Sequence, residues 1–153
     1  MKELIGDAAQ LLLDGEFDVL IHGCNCFNVM GSGIAKQIKD MIPGAYIADC
    51  ATVKGDRSKL GTFSLYHDRD KKFLVVNAYT QYYYSNTECI SDYRAIGRVM
   101  AQINYRYRGK GLRVCYPRIG AGKAGGDWIK IREIIDRELV DLDHTLIILD
   151  KEN

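Results

Sequence analysis

The stretch Leu20-Ile-His-Gly-Cys-Asn-Cys-Phe-Asn-Val-Met-Gly-Ser-Gly-Ile-Ala-Lys-Gln-Ile38 decides the fold. The apolar run Phe17 to Ile21 reads as a buried strand, drawn over Phe17–His22. Small and polar residues follow, then Gly31-Ser32-Gly33. Ile34, Ala35, Ile38, Met41 and Ile42 come next at three- to four-residue spacing, the period of a helix with one apolar face. Strand, glycine turn and helix start together present backbone N–H groups to a phosphate, because a first helical turn has unpaired donors and the positive end of the dipole. A second element of this kind lies near the C-terminus: strand Leu112–Tyr116, loop Ile119-Gly-Ala-Gly-Lys-Ala-Gly-Gly126, then a helix opened by Asp127-Trp128. Two glycine loops after two strands imply a ligand with two phosphates.

Outward from these loops, the rest of the 153 residues reads as one α/β domain over 1–153, large enough to bury a core. Met1–Ile5 is a short strand and Ala8–Leu13 a short helix after Asp7. Ser32–Ile42 is a helix ended by Pro43-Gly44. Thr62–His67 and Lys72–Ala78 flank the charged Asp68-Arg69-Asp70-Lys71, a hairpin turn. Tyr93, Ile96, Val99, Met100 and Ile103 form one helical stripe; Trp128, Ile131, Ile134, Ile135 and Leu139 form another. Thr145–Leu149 is a last strand. Strands alternating with helices predict a three-layer α/β/α arrangement around a mixed, mostly parallel sheet. In such sheets ligands sit beyond the carboxyl ends of strands, where both glycine loops fall.

Composition narrows the function. Lys+Arg 21 against Asp+Glu 20 leaves a formal charge of +1, which gives no footprint for duplex nucleic acid or an anionic membrane. No apolar run is long enough to span a bilayer and the first residues show no secretory h-region, so a cytoplasmic protein is expected. Five scattered cysteines (Cys24, Cys26, Cys50, Cys89, Cys115) fit reduced thiols. His22-x-Cys24-x-Cys26 lacks a second ligand pair at a zinc-site spacing, so no metal or other cofactor is expected.

Gly6-Asp7, His22-Gly-Cys-Asn25, Gly31-Ser-Gly33-Ile-Ala and Pro117-Arg-Ile-Gly-Ala-Gly122 resemble, in this order and nearly over the whole chain, the macrodomain (Appr-1″-p processing) family. The His-x-Cys-Asn-Cys run and the tryptophan opening the last helix are most similar to the branch of the fungal ADP-ribose-1″-phosphate phosphatase. The resemblance implies a macrodomain fold, binding of ADP-ribose or a derivative, and hydrolysis at the terminal ribose. It places Asp7 and the Ala8 N–H at adenine, and Asn25 at the terminal ribose. Gly31, Ser32, Gly33 and Ile34 fall at one phosphate. Gly120, Ala121, Gly122, Lys123, Ala124 and Gly125 fall at the other phosphate and the ribose. His22, Asn25 and Asp127 are the implied catalytic set, with His22 or Asp127 as base for an attacking water.

Each of these residues also has a plainer reading. Asp7 and Asp127 precede helices and suit N-caps. Asn25 suits a turn, His22 a structural position at a strand end, and Lys123 a solvent-facing lysine. The terminal ADP-ribose glycohydrolase branch of the superfamily uses a lysine and an aspartate where this chain has Gln81 and Ala124, so a lysine-adduct mechanism is not expected. The tyrosine-rich Tyr79–Asn86 stretch is read either as a cover over the terminal ribose or as packing against a neighbouring helix. Three other functions stay open: a reader of ADP-ribosyl groups without turnover, a hydrolase removing ADP-ribose from protein or nucleic acid, and a nucleotide-binding module that regulates a partner.

Overall fold

Apolar strands alternate with one-sided helices along the chain, and each helix buries its stripe against one face of a single sheet. The computed structural model describes residues 1–85 and 89–150; residues 86–88, Asn86 of the tyrosine-rich stretch among them, and 151–153 lie outside these. The elements are β1 (Lys2–Ile5), α1 (Ala8–Leu13), β2 (Val19–Cys24), α2 (Gly33–Met41), α3 (Pro43–Cys50), β3 (Phe63–Asp68), β4 (Phe73–Tyr79), α4 (Tyr93–Tyr107), β5 (Arg113–Tyr116), α5 (Trp128–Glu138) and β6 (Asp143–Ile148). The strand order is β1-β6-β5-β2-β4-β3, parallel except for the β3–β4 hairpin. This is the expected three-layer α/β/α arrangement.

The period-2 alternation of β2 shows why both faces are covered. Val19 and Ile21 pack with Val76, Val114, Ile96, Met100 and Ile131 beneath α4 and α5. Leu20 packs with Val75, Cys115, Ala9, Leu12, Ile38 and Ala45 beneath α1, α2 and α3. A strand buried on both sides reads as a nearly continuous apolar run.

Two local expectations are corrected. Pro43 does not simply end a helix: it opens α3 at its first turn. There its missing N–H costs nothing and its fixed φ suits the helix, so the proline both stops α2 and starts its successor. Strand β2 also runs two residues further than expected, because its ladder with β4 continues through Cys24 opposite Tyr79. His22 is therefore inside the strand rather than at its end.

The sheet topology places the site. Strands β2 and β5 are neighbours, yet the chain leaves them in opposite directions. From β2 it goes to α2 on one face and on to β3 and β4; from β5 it goes to α5 on the other face and back to β6. A crevice opens at such a switch point, beyond the carboxyl ends of both strands.

Candidate functional site

Both glycine loops border that crevice, a cleft of about 420 Å³ lined by Asn25, Gly31, Ser32, Gly33 and Ile34 on one side and by Gly120, Gly122, Lys123 and Ala124 on the other. Gly33 has φ +59°, a conformation that suits glycine, and it swings the chain from the loop into α2. Ser32 stands at the N-cap but makes no side-chain capping bond. The donors of the first turn of α2, where Gly33, Ile34 and Ala35 line the cleft, are therefore left for a ligand. Gly120, φ +74°, is tightly enclosed: a Cβ would lie 2.8 Å from the Ser91 hydroxyl. That hydroxyl donates to the Gly120 carbonyl at 2.6 Å, and the Gly126 N–H donates to the same oxygen at 2.8 Å. The second loop is thereby pinned in shape before any ligand arrives.

The lining includes no carboxylate among the described residues, but it includes two cationic side chains, Arg118 and Lys123. An anion with several oxygens is the matching ligand.

Several expected residues are engaged elsewhere. Asn25 lines the cleft but also braces its own loop: its Nδ2 donates to the Val29 carbonyl at 2.7 Å and its Oδ1 accepts from the Phe27 N–H at 2.9 Å. Asp7 caps α1, accepting from the Gln10 N–H at 3.0 Å, while its other oxygen accepts from Gln37 Nε2 at 2.6 Å. Neither Asp7 nor Ala8 borders the cleft; Gln37 ties Asp7 instead to a shallow depression that adjoins the cleft through Gly33. Ala121 and Gly125 shape the second loop without lining the cleft. Asp127 caps α5 by accepting from the Ile129 N–H at 3.0 Å, and the structure does not bring it to the cleft.

His22 is also apart from the cleft. Its ring is fully buried, with Nε2 2.6 Å from Asn77 Oδ1. Burial lowers its pKa to about 4, against an opposing contribution from the Asn77 bond, so the ring is neutral. Both of its nitrogens lie 3.6–3.7 Å from Cys24 Sγ, and it is Cys24, not His22, that reaches the cleft. That thiol is held protonated, because burial and the nearby Asp49 raise its pKa well above the usual value.

His22 begins a polar chain that sequence reasoning did not find. Asn77 Nδ2 donates to Ser64 Oγ at 3.0 Å, Ser64 Oγ lies 2.8 Å from the Tyr79 hydroxyl, and that hydroxyl donates to Asp49 Oδ1 at 2.7 Å. Beside it, the buried Lys59 ammonium donates to the Cys26 carbonyl at 3.0 Å and to Asn28 Oδ1 at 2.9 Å. Asn28 has φ +60°, so Lys59 holds the first loop through its least comfortable residue. Only the tertiary fold brings Lys59 to this loop; nothing local in the sequence marks it.

The tyrosines divide. Tyr79 is a core residue of β4, and Tyr82 donates from its hydroxyl to the Gly55 carbonyl at 2.8 Å. Tyr82, Tyr83 and Tyr84 pack edge-on around Phe27, with centroids 4.9, 5.2 and 5.9 Å away, rather than against a helix. Tyr84 and Gln81 line the cleft, as do Ile90, Arg118 and Ile119, which were not among the expected binding residues.

No family model matches the chain. Among solved structures, the chain is similar to the macrodomain of Thermus aquaticus DarG, with TM-score 0.73 and 20% identity over 95% of each chain. It is similar to Thermosipho africanus DarTG in complex with ADP-ribose, with TM-score 0.75 and 19% identity over all of this chain and 43% of that one. A Trypanosoma brucei macrodomain in complex with ADP gives TM-score 0.68 and 16% identity over 98% of this chain and 63% of that one. These likenesses establish the fold. A curated relative, the "Uncharacterized 17.5 kDa protein in tk-vs intergenic region" of Enterobacteria phage T4, is 36% identical over 141 residues, 89% of this chain and 88% of that protein. The chain has the macrodomain fold and belongs to the family of this phage protein.

Proposed function

We propose that the cleft binds ADP-ribose and derivatives extended at the terminal ribose. One observation carries the reading: two glycine loops face each other across a crevice with no carboxylate among its described lining residues, one presenting the uncapped start of α2 and the other accompanied by Arg118 and Lys123. A diphosphate has the charge and the oxygen count for such a pair. The ADP-ribose and ADP complexes among the structural neighbours support the same ligand class. The terminal ribose would then meet Asn25, and adenine would extend past Gly33 toward Gln37 and Asp7. Titration calorimetry tests this: ADP-ribose is expected to bind in the micromolar range, roughly −7 to −8 kcal/mol. No heat at millimolar ligand overturns it.

The side-chain set favours recognition over turnover. The described cleft lining holds no histidine or carboxylate to carry a proton, since His22 and Asp127 are engaged elsewhere. Hydrolysis of ADP-ribose-1″-phosphate is the second reading, favoured by the positive charge that Arg118 and Lys123 offer to a departing phosphate. It would rely on a water positioned by Asn25 and the loop N–H groups. Release of inorganic phosphate from ADP-ribose-1″-phosphate decides between the two readings. An ADP-ribosylated protein and an ADP-ribosylated oligonucleotide, run beside it, test the wider hydrolase readings.

A further inference from the structure

The near-zero net charge hides a segregated one. From Tyr93 to Arg113 the chain carries Arg94, Arg98, Arg106, Arg108, Lys110 and Arg113 and no acidic residue. Arg113 is paired with Asp18, 3.0 Å away. The other five are exposed and make no ion pair among the described residues. Helical periodicity sets Arg94, Arg98 and Tyr105 on one outward stripe of α4, a 15-residue helix and hence about 22 Å long. Just beyond its end, the Arg108 guanidinium lies 4.7 Å from the ring centroid of Tyr105, which is 72% exposed. Two carboxylates that adjoin the helix are committed: Asp92 caps α4 through the Ala95 N–H, and Asp141 accepts from Asn104.

We propose that this outward face of α4 docks the phosphate backbone of single-stranded nucleic acid, at a surface separate from the cleft. Unneutralised arginines along one helix face are the charge complement of a polyanion. An exposed tyrosine with an arginine on its ring offers the flat surface on which unpaired bases stack, which favours a single strand over a duplex.

Fluorescence anisotropy with labelled oligothymidylate and oligouridylate tests the proposal. The protein is expected to bind both. If four phosphates are neutralised, affinity falls about 20-fold between about 50 and about 150 mM salt. Arg94→Glu/Arg98→Glu/Arg108→Glu is expected to weaken binding at least tenfold and flatten the salt dependence, with ADP-ribose titration unchanged. If charge reversal lowers the melting temperature, Arg94→Ala/Arg98→Ala/Arg108→Ala replaces it, since alanine suits a helix. Three results overturn the proposal: no oligonucleotide binding at low salt, undiminished binding by the triple variant, or equal binding to polyglutamate or to phosphatidylserine vesicles. A protein that binds oligonucleotide but not ADP-ribose would refute the cleft assignment and leave this surface standing.

Discussion

The two helices that leave the cleft loops begin in opposite ways. At α2, Ser32 adopts the extended backbone of a cap but makes no side-chain capping bond, and the first turn lines the cleft. At α5, Asp127 closes the first turn with its own carboxylate, and its N–H is held by the Tyr93 hydroxyl at 3.1 Å. Helices α1 and α4 are closed in the same way by Asp7 and Asp92. Where the protein satisfies its own helix donors the terminus is structural. Where it withholds a cap beside a glycine turn, the donors are left for a guest. Asp127, an aspartate before a helix next to a glycine loop, is engaged as a cap.

The strongest attempt to break this contrast is Gly33→Glu. It puts a carboxylate among the donors of the open terminus and forces a side chain into φ +59°. Affinity for ADP-ribose is expected to fall by three orders of magnitude or more, roughly 4 kcal/mol. The backbone strain should lower stability by only about 1 kcal/mol. Undiminished affinity by titration calorimetry means that no phosphate sits there.

A second test separates the cleft from the polar chain behind it. His22 is neutral in the fold, its pKa lowered to about 4 by burial, whereas an unfolded histidine titrates near 6.5. A depressed folded pKa makes its contribution complete above pH 6.5 and lost as pH falls toward 4, about 3 kcal/mol in all. Thermal melts between pH 7 and pH 4 should show this loss, and His22→Gln should flatten it. ADP-ribose affinity at pH 5, measured below the melting temperature found at that pH, should stay near its neutral value; a steep fall there would tie His22 to the ligand.

Ser32→Asp converts the open terminus into a copy of the closed one. The new carboxylate caps α2 and repels phosphate, so stability should rise by about 0.5 kcal/mol while ADP-ribose binding weakens about tenfold. Added salt should narrow the affinity gap. Tighter binding would mean that the loop reaches the ligand through side chains instead of the helix start.

The order of strands and helices, the β3–β4 hairpin and both glycine loops were legible because each has a local cause: apolar period, turn chemistry or a glycine needed at positive φ. The second life of Pro43 was not, since the same residue stops one helix and starts the next. His22 was misplaced because two further residues of pairing with β4 carried β2 past it, a tertiary effect that no spacing in the β2 stretch records. Lys59 and the Asn77–Ser64–Tyr79–Asp49 chain come from distant segments and meet only when the sheet forms. At Asp7, Asn25 and Asp127 the plainer readings of cap and turn describe the bonds that are made.

The smallest expected effect bears most directly on the comparison. Asp127→Ala removes the cap of α5 and leaves the Ile129 N–H without that acceptor. Loss of such a cap costs about 1 kcal/mol of stability. If the carboxylate only closes the helix, ADP-ribose affinity should stay within a factor of about two, because Asp127 does not border the cleft. Asp127→Asn keeps an oxygen to accept the same bond and should recover most of the stability while removing the charge. Denaturant melts and calorimetry on both variants separate the roles. An affinity lost in both variants in parallel, with stability recovered in Asp127→Asn, would put the negative charge itself to use at the ligand and end the distinction between an open and a closed terminus.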